Sequence, residues 1–263
     1  MSVPWPRLAV AAVDVLNRRG KSVGVRLTRY TGKSRHFIHP KHLVHAPWHE
    51  WYVEHLSPSD VVLDVGCANG AHTLAAAARA RRVFGIDYDV GQLAIAARGA
   101  ARLGRRNVCL FAWDLTQPFP FREATFDAAL FLDVIEHLHP RQAVLSEIRR
   151  VLVPGGRLLV SGPNRDTTWR RRLRQARLFA YSDPDHKIEY TQDEFVAELR
   201  AGGFDPEGPI RPTVYDTPWA GLIDAAGGLS IRLYARLARW KHDAALARPA
   251  ESTGFRVLAR ARA

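Results

Sequence analysis

From Asp60 onward, short apolar runs alternate with amphipathic stretches. Val61–Gly66 is an apolar run that ends on glycine, the pattern of a strand buried on both faces. Ala71–Ala80 is rich in alanine and predicts a helix. Arg82–Asp87 reads as a second strand, Val90–Leu103 as a second helix, Asn107–Ala112 as a third strand and Phe126–Leu132 as a fourth. Arg141–Leu152 puts Val144, Leu145, Ile148, Val151 and Leu152 on one helical face. Pro154-Gly155-Gly156 predicts a turn before a fifth strand, Arg157–Ser161. A helix over Thr191–Ala201 stops at Gly202-Gly203. A sixth strand falls between Phe204 and Tyr215, and Gly254–Ala261 reads as the last. Strands alternating with helices predict an α/β fold around a doubly wound, mostly parallel sheet.

The flanking regions are less regular. PRLAVAAVDVLNRRG, near the N-terminus, predicts a helix; with Asp14 inside it and no small-residue cleavage site, it does not read as a signal peptide. GKSVGVRLTRYTGKSRHFIHPKHLVH reads as an irregular basic segment, followed by a helix near Pro47–Leu56. Beyond Asn164 lie the Arg-rich WRRRLRQAR and an apolar, basic stretch, Thr217–Arg248. In Leu229–Leu246, Arg232, Arg236 and Arg239 share one helical stripe, with Leu233, Leu237 and Trp240 beside it. Such a helix either packs on the core with its arginines in water or lies in a lipid interface, which would make the protein peripheral to a membrane.

Composition narrows the class. The chain has 263 residues, 47% hydrophobic and 24% charged, as in globular proteins. Its two cysteines, Cys67 and Cys109, rule out a disulfide framework, cannot alone make a four-ligand zinc site, and point to a cytoplasmic, reducing compartment. No uncharged apolar run reaches the roughly 20 residues of a membrane span. The net charge of +12 favours anionic partners: nucleic acid, an acidic membrane surface or a phosphorylated substrate.

The most informative stretch is VVLDVGCANGAHTLAAAA, Val61 to Ala78. Gly66 and Gly70 sit where a strand turns into a helix, so the backbone can come close to a ligand. Asp87 ends the second strand, 17 residues after Gly70, where a carboxylate can accept both ribose hydroxyls of a nucleoside. Asp114 ends the third strand, within reach of an adenine amino group. The glycine spacing is G-x-x-x-G, and a dinucleotide site would have G-x-G-x-x-G.

Together with GIDYD, WDLTQPFPF, FDAALFLDVIEHL, EIRRVLVPGGRLLVSGPN and DPDHKIEYTQDEF, this stretch resembles the class I S-adenosylmethionine-dependent methyltransferases. Among them it is most similar to small-molecule O-methyltransferases of the ubiquinone-biosynthesis kind. The pieces occur in the family order over about residues 60–205. Ala68 departs from the pattern, since the family usually has glycine there. The resemblance implies one Rossmann-like methyltransferase domain over 1–263 with a seven-stranded sheet, its last strand antiparallel beside the fifth. Within it, 1–56 would be an accessory segment, 57–165 the cofactor-binding core, 166–253 a substrate-covering segment and 254–263 the last strand. S-adenosylmethionine would be the cofactor. Asp64, Gly66 and Gly70 would frame its methionine end, Asp87 the ribose and Asp114 the adenine amino group. Leu115 would lie against the ring, and Leu132 would touch the methionine portion through its backbone.

Methyl transfer to oxygen needs a base, and His186 and His137 are the candidates, with Glu136 behind them. The segment holding His186 covers the substrate in this family, and Asp183 and Asp185 flank it. Asp133, Glu136 and His137 form D-x-x-E-H, similar to the E-x-x-E-H associated with a divalent metal in some relatives; the expectation is that no metal is bound, with this trio as the candidate site for one. Leu132-Asp133-Val134-Ile135 replaces the Asn/Asp-Pro-Pro-aromatic tetrad of exocyclic-amine methyltransferases, which disfavours a nucleic-acid substrate. The reading is methyl transfer to a hydroxyl of a small-molecule or lipid-linked acceptor. The alternatives are an RNA methyltransferase and a non-catalytic cofactor-binding scaffold. Cys67 is expected to pack and Cys109 to lie in the core.

Overall fold

The structure is a computed structural model and describes residues 7–34, 39–44 and 47–262. It divides into two compact units. A core unit comprises Trp48–Pro163, Asp185–Arg211 and Phe255–Ala263; a second unit comprises Met1–Pro47, Asn164–Pro184 and Pro212–Gly254.

The core unit is built on a seven-stranded sheet. Its strands are β1 (Val61–Val65), β2 (Arg82–Asp87), β3 (Val108–Ala112), β4 (Phe126–Leu132), β5 (Leu152–Pro163), β6 (Phe204–Pro212) and β7 (Gly254–Ala261). They run in the order β3-β2-β1-β4-β5-β7-β6. The first five pair in parallel, with Asp64 beside Gly85 and Leu130, and Leu132 beside Ser161. The last strands are antiparallel, with β7 next to β5 as expected. Alternate residues of the central strands feed two separate cores. Val62, Ala128, Leu130 and Leu159 pack on one face; Leu63, Ala129, Phe131, Leu158 and Val160 pack on the other. Burial on both faces is why these strands read as continuous apolar runs.

Two boundaries differ from the sequence reading. The fifth strand begins at Leu152, and Pro154-Gly155-Gly156 is a bulge within it. Phe126 pairs with Leu152 and Ala128 with Arg157, so β5 loops outward while β4 advances two residues. Gly155 takes φ +71°, which the outward loop requires. The helix after β1, α2 (Ala71–Ala76), stops short of Ala80. The Asn107 amide donates to the carbonyls of Ala77 and Ala80, both at 3.0 Å, and holds that stretch as a turn.

The second unit contains α1 (Arg7–Tyr30) and, further along the chain, α5 (Thr168–Gln175), α7 (Ala220–Leu229) and α8 (Ile231–Ala247). The core unit carries α3 (Val90–Arg102), α4 (Arg141–Val151) and α6 (Gln192–Ala201). The stretch from Gly20 to Tyr30, expected to be irregular, instead continues α1 to a length of 24 residues. Residues 35–38 and 45 of the same stretch lie outside the described residues. Gly20 and Gly24 look like helix breakers in the sequence, but here they are where α7 makes contact. A Cβ on Gly20 would sit 2.4 Å from the Gly221 carbonyl, and one on Gly24 2.4 Å from the Asp224 carbonyl oxygen. Two glycines one turn apart let the backbones meet, and that packing offsets the roughly 1 kcal/mol each costs in helix propensity. The Arg-rich stretch becomes α5, capped by the Thr167 hydroxyl. Its Trp169 and Leu173 bury against Val10 and Val13 of α1.

Candidate active site

The expected cofactor residues lie at or just beyond the carboxyl ends of β3, β2, β1 and β4, the edge where parallel sheets bind ligands. Asp64, in β1, is buried, and its Oδ2 accepts from the Thr73 hydroxyl at 2.6 Å. Burial raises its carboxyl pKa, and the neighbouring His72 and the Thr73 hydrogen bond oppose that rise. The His72 Nδ1 is in turn 2.9 Å from the hydroxyl of Tyr52, whose pKa burial pushes up.

The Gly66–Gly70 loop is held by its own backbone. The Gly66 and Cys67 N–H groups donate to the Ile86 carbonyl at 2.9 and 3.0 Å. Gly66 and Gly70 have φ +75° and +76°. A Cβ on Gly66 would lie 2.7 Å from Val134, and one on Gly70 2.5 Å from Ala96. The glycines are therefore needed for the loop's conformation and packing, where the sequence suggested only room for a ligand. Ala68 has φ +42°, so it keeps a left-handed conformation that favours glycine.

Asp87 is buried and organises this loop. Its Oδ2 accepts from the Ala68 N–H at 2.8 Å, and its Oδ1 from the Asp89 N–H at 2.9 Å. Each oxygen keeps a second lone pair for a ligand hydroxyl. Asp114 is exposed; hydrogen bonds from the Thr116 backbone and side chain hold its carboxyl below the usual range. Leu115 and Leu132 are buried. A left-handed loop over a buried, ionisable Asp87, with Asp114 open on the next strand, fits a nucleoside-bearing cofactor.

A second cluster follows β4. Glu136 and His137 lie on a short 3-10 turn, Ile135–His137, and the segment after Asp185 docks on it. The Lys187 N–H donates to the Glu136 carbonyl at 2.7 Å, which brings His186 beside the turn. The His186 and His137 rings stand edge to face with centroids 4.8 Å apart. His186 Nδ1 is 2.8 Å from Glu189 Oε1, and its Nε2 is 3.9 Å from Glu136 Oε1. Both carboxylates are buried. Ligand atoms of Glu136, His137 and His186 lie within 4.8 Å of one another, a spacing that a divalent cation could bridge.

Asp133 does not join that trio. At φ +56° it turns away and exchanges hydrogen bonds with Ser161: its N–H donates to Oγ at 2.9 Å, and the Ser161 hydroxyl donates to its Oδ1 at 2.6 Å. Its charge also supports Arg256, whose guanidinium burial pushes down to about 10. Glu189 is a carboxylate that orients His186, an addition to Asp183 and Asp185, which the sequence offered. Spacing was the available signal, since Glu189 follows His186 by three residues. Ser161 was missed because its partner Asp133 lies at the end of the neighbouring strand, and Thr73 because the turn from β1 into α2, rather than linear spacing, brings it to Asp64. Tyr190 is buried packing beside Phe195. Cys67 is buried, which raises its thiol pKa, while Cys109 is only half-buried, short of the core place expected for it.

Comparison with known proteins adds a family to this fold. Residues 63–160 match the methyltransferase domain family. A probable S-adenosylmethionine-dependent methyltransferase of Mycolicibacterium smegmatis is 34% identical over 170 residues, 65% of this chain and 61% of that one. A ubiquinone biosynthesis O-methyltransferase of Idiomarina loihiensis is 33% identical over 107 residues, 40% of this chain and 42% of that one. The chain thus spans less than two thirds of the length of either relative. The crystal structure of the [4+2]-cyclase SpnF superposes with a TM-score of 0.60 at 21% identity, covering 81% of this chain and 79% of that one; it shares the fold. Residues 63–160 are a methyltransferase domain of the class I S-adenosylmethionine-dependent family, and S-adenosylmethionine is its cofactor.

Proposed function

We propose that the protein transfers a methyl group to a hydroxyl oxygen of a small-molecule or lipid-linked acceptor, with His186 as the base. The observation that carries this reading is the His186–Glu189 pair beside Glu136 and His137. A carboxylate at Nδ1 favours the tautomer protonated there and leaves Nε2 to accept a proton. Glu136, 3.9 Å from Nε2, stabilises the imidazolium that results. His137 is the rival base on the same turn. S-adenosylmethionine, when bound, supplies a methyl group on a sulfonium with a neutral leaving group. The chain's work is then to position the acceptor and remove its proton. Asp87 holds the ribose, Asp114 the adenine amino group and Leu115 the ring. Gly66, Gly70 and the Leu132 backbone frame the methionine end, with Asp64 holding the loop from below through Thr73.

The test incubates the protein with isotopically methyl-labelled cofactor and panels of phenols, catechols, amines and lipid extract, and locates the label by mass spectrometry and NMR. Label on oxygen is expected. With that acceptor, His186→Ala should lose roughly 10²–10⁴-fold in single-turnover rate while still binding cofactor. Glu189→Gln should lose less and shift the pH–rate profile. Label on nitrogen or carbon would refute the oxygen assignment. A full rate in His186→Ala beside a lost one in His137→Ala moves the base to His137. Cofactor binding with no transfer to any acceptor favours the scaffold reading.

A further inference from the structure

The charge of +12 is not spread evenly over the chain. The second unit holds 20 Lys and Arg against 7 Asp and Glu, a balance of +13; the core unit holds 18 against 19, a balance of −1. The groups assigned above to cofactor binding and proton removal are in the core unit, so the proposed chemistry does not account for this charge.

The same unit exposes apolar side chains in an ordered way. The buried line of α1 runs through Val10, Val13, Gly20, Gly24 and Thr28. On the opposite side Leu8, Val15, Leu16, Val23 and Tyr30 are 43–84% exposed. At 3.6 residues per turn these five, with the exposed Arg19 and Arg26, fall within an arc of about 100°. α8 shows the same mixture: Leu233, Trp240 and Leu246 are exposed among Arg232, Arg236 and Arg239. A surface helix normally has one apolar face and one polar face. α1 has an apolar stripe on each side, and α7 covers only one of them.

We propose that the second unit docks the protein on an anionic phospholipid bilayer. The outer stripe of α1 enters the interface with Arg19 and Arg26 on the lipid phosphates, and the Trp-containing stripe of α8 adds a second contact. Apolar residues interleaved with arginine match an interfacial helix, where acyl chains take the former and headgroups the latter. A second copy of the chain fits poorly, because two units of +13 repel. Nucleic acid matches the charge, but the outer stripe of α1 is mostly Leu and Val, and Tyr30 and Trp240 are single aromatics on separate helices where a strand of stacked bases needs a row of them. The inference is independent of the methyl acceptor and of the base.

Co-sedimentation of the full-length protein with vesicles tests it, using phosphatidylcholine alone against phosphatidylcholine mixed with phosphatidylglycerol. Binding is expected only to the anionic vesicles and should weaken as salt rises. The Arg19→Ala/Arg26→Ala variant should bind roughly 25-fold more weakly at low salt, about fivefold per arginine. Leu16→Ser/Val23→Ser should weaken binding at every salt concentration. All four positions are exposed, so circular dichroism and cofactor binding should match the parent. Equal binding to both vesicle types, or no effect of either double variant, overturns the proposal. So does tighter binding to single-stranded RNA than to anionic vesicles, or a dimer in sedimentation velocity that Val15→Glu dissociates.

Discussion

Replacing Asp87 separates its two tasks. Asp87→Asn keeps the shape but leaves one acceptor oxygen where the carboxylate has two, facing the N–H groups of Ala68 and Asp89. One of those donors then meets the side-chain NH2. Both donors belong to exposed residues, so water offsets part of the loss and the folded state should weaken by only about 1 kcal/mol. The ligand side loses more. A hydrogen bond to a charged group contributes about 1.5–3 kcal/mol and a neutral one about 0.5–1.5, so the asparagine should bind the cofactor roughly 5–10-fold more weakly. Asp87→Ala removes both acceptors and should cost roughly 10–100-fold. Calorimetric titration with S-adenosylmethionine measures the affinities, and urea unfolding measures the stability. Parental affinity in both folded variants would sink the assignment of Asp87 to the ribose. An equal loss in both would instead place its whole effect in loop order.

Two stability predictions follow from other sites. Gly24→Ala in α1 gains roughly 1 kcal/mol of helix propensity but sets a Cβ 2.4 Å from the Asp224 carbonyl oxygen; a net loss of about 1–3 kcal/mol is expected in urea unfolding, and a net gain would mean α7 is not held this closely. Glu147 accepts from the Phe119 N–H and from Arg150, whose hydrogen bonds hold its pKa below the usual carboxylate value. Its contribution is therefore present above the ordinary Glu pKa of about 4.3 and lost as pH falls below it. Glu147→Gln should cost about 1 kcal/mol at neutral pH, solvent screening included, and the gap from the parent should close in melts taken at progressively lower pH.

The strands were legible because burial on both faces of the sheet leaves a continuous apolar run, as in Val61–Val65 and Phe126–Leu132. The Gly66–Gly70 turn was legible because glycines at a strand end are chemically restrictive. What the sequence concealed depends on distant partners. Gly20 and Gly24 break a helix by propensity, and only α7, some two hundred residues later, makes them useful there. Asp133 was grouped by spacing with Glu136 and His137, yet Ser161 on the next strand claims it. Propensity and spacing are local, whereas helix contacts and side-chain pairs across a sheet are set by topology.

The pairing of α1 with α7 has a consequence for synthesis. Roughly 190 residues separate the two helices, so at about 5–20 residues per second the ribosome needs roughly 10–40 s to make α7 after α1 is complete. Through that interval α1 has neither its close-packed glycine contact nor the Trp169 and Leu173 side chains of α5 for part of the time. The sheet, by contrast, can begin to assemble from β1 to β5, whose strands are made close together and pair in parallel as they emerge. α1, made before the sheet, is thus among the last of the described elements to find its place. For much of translation it is a basic, two-faced apolar segment exposed to chaperones and to membrane surfaces.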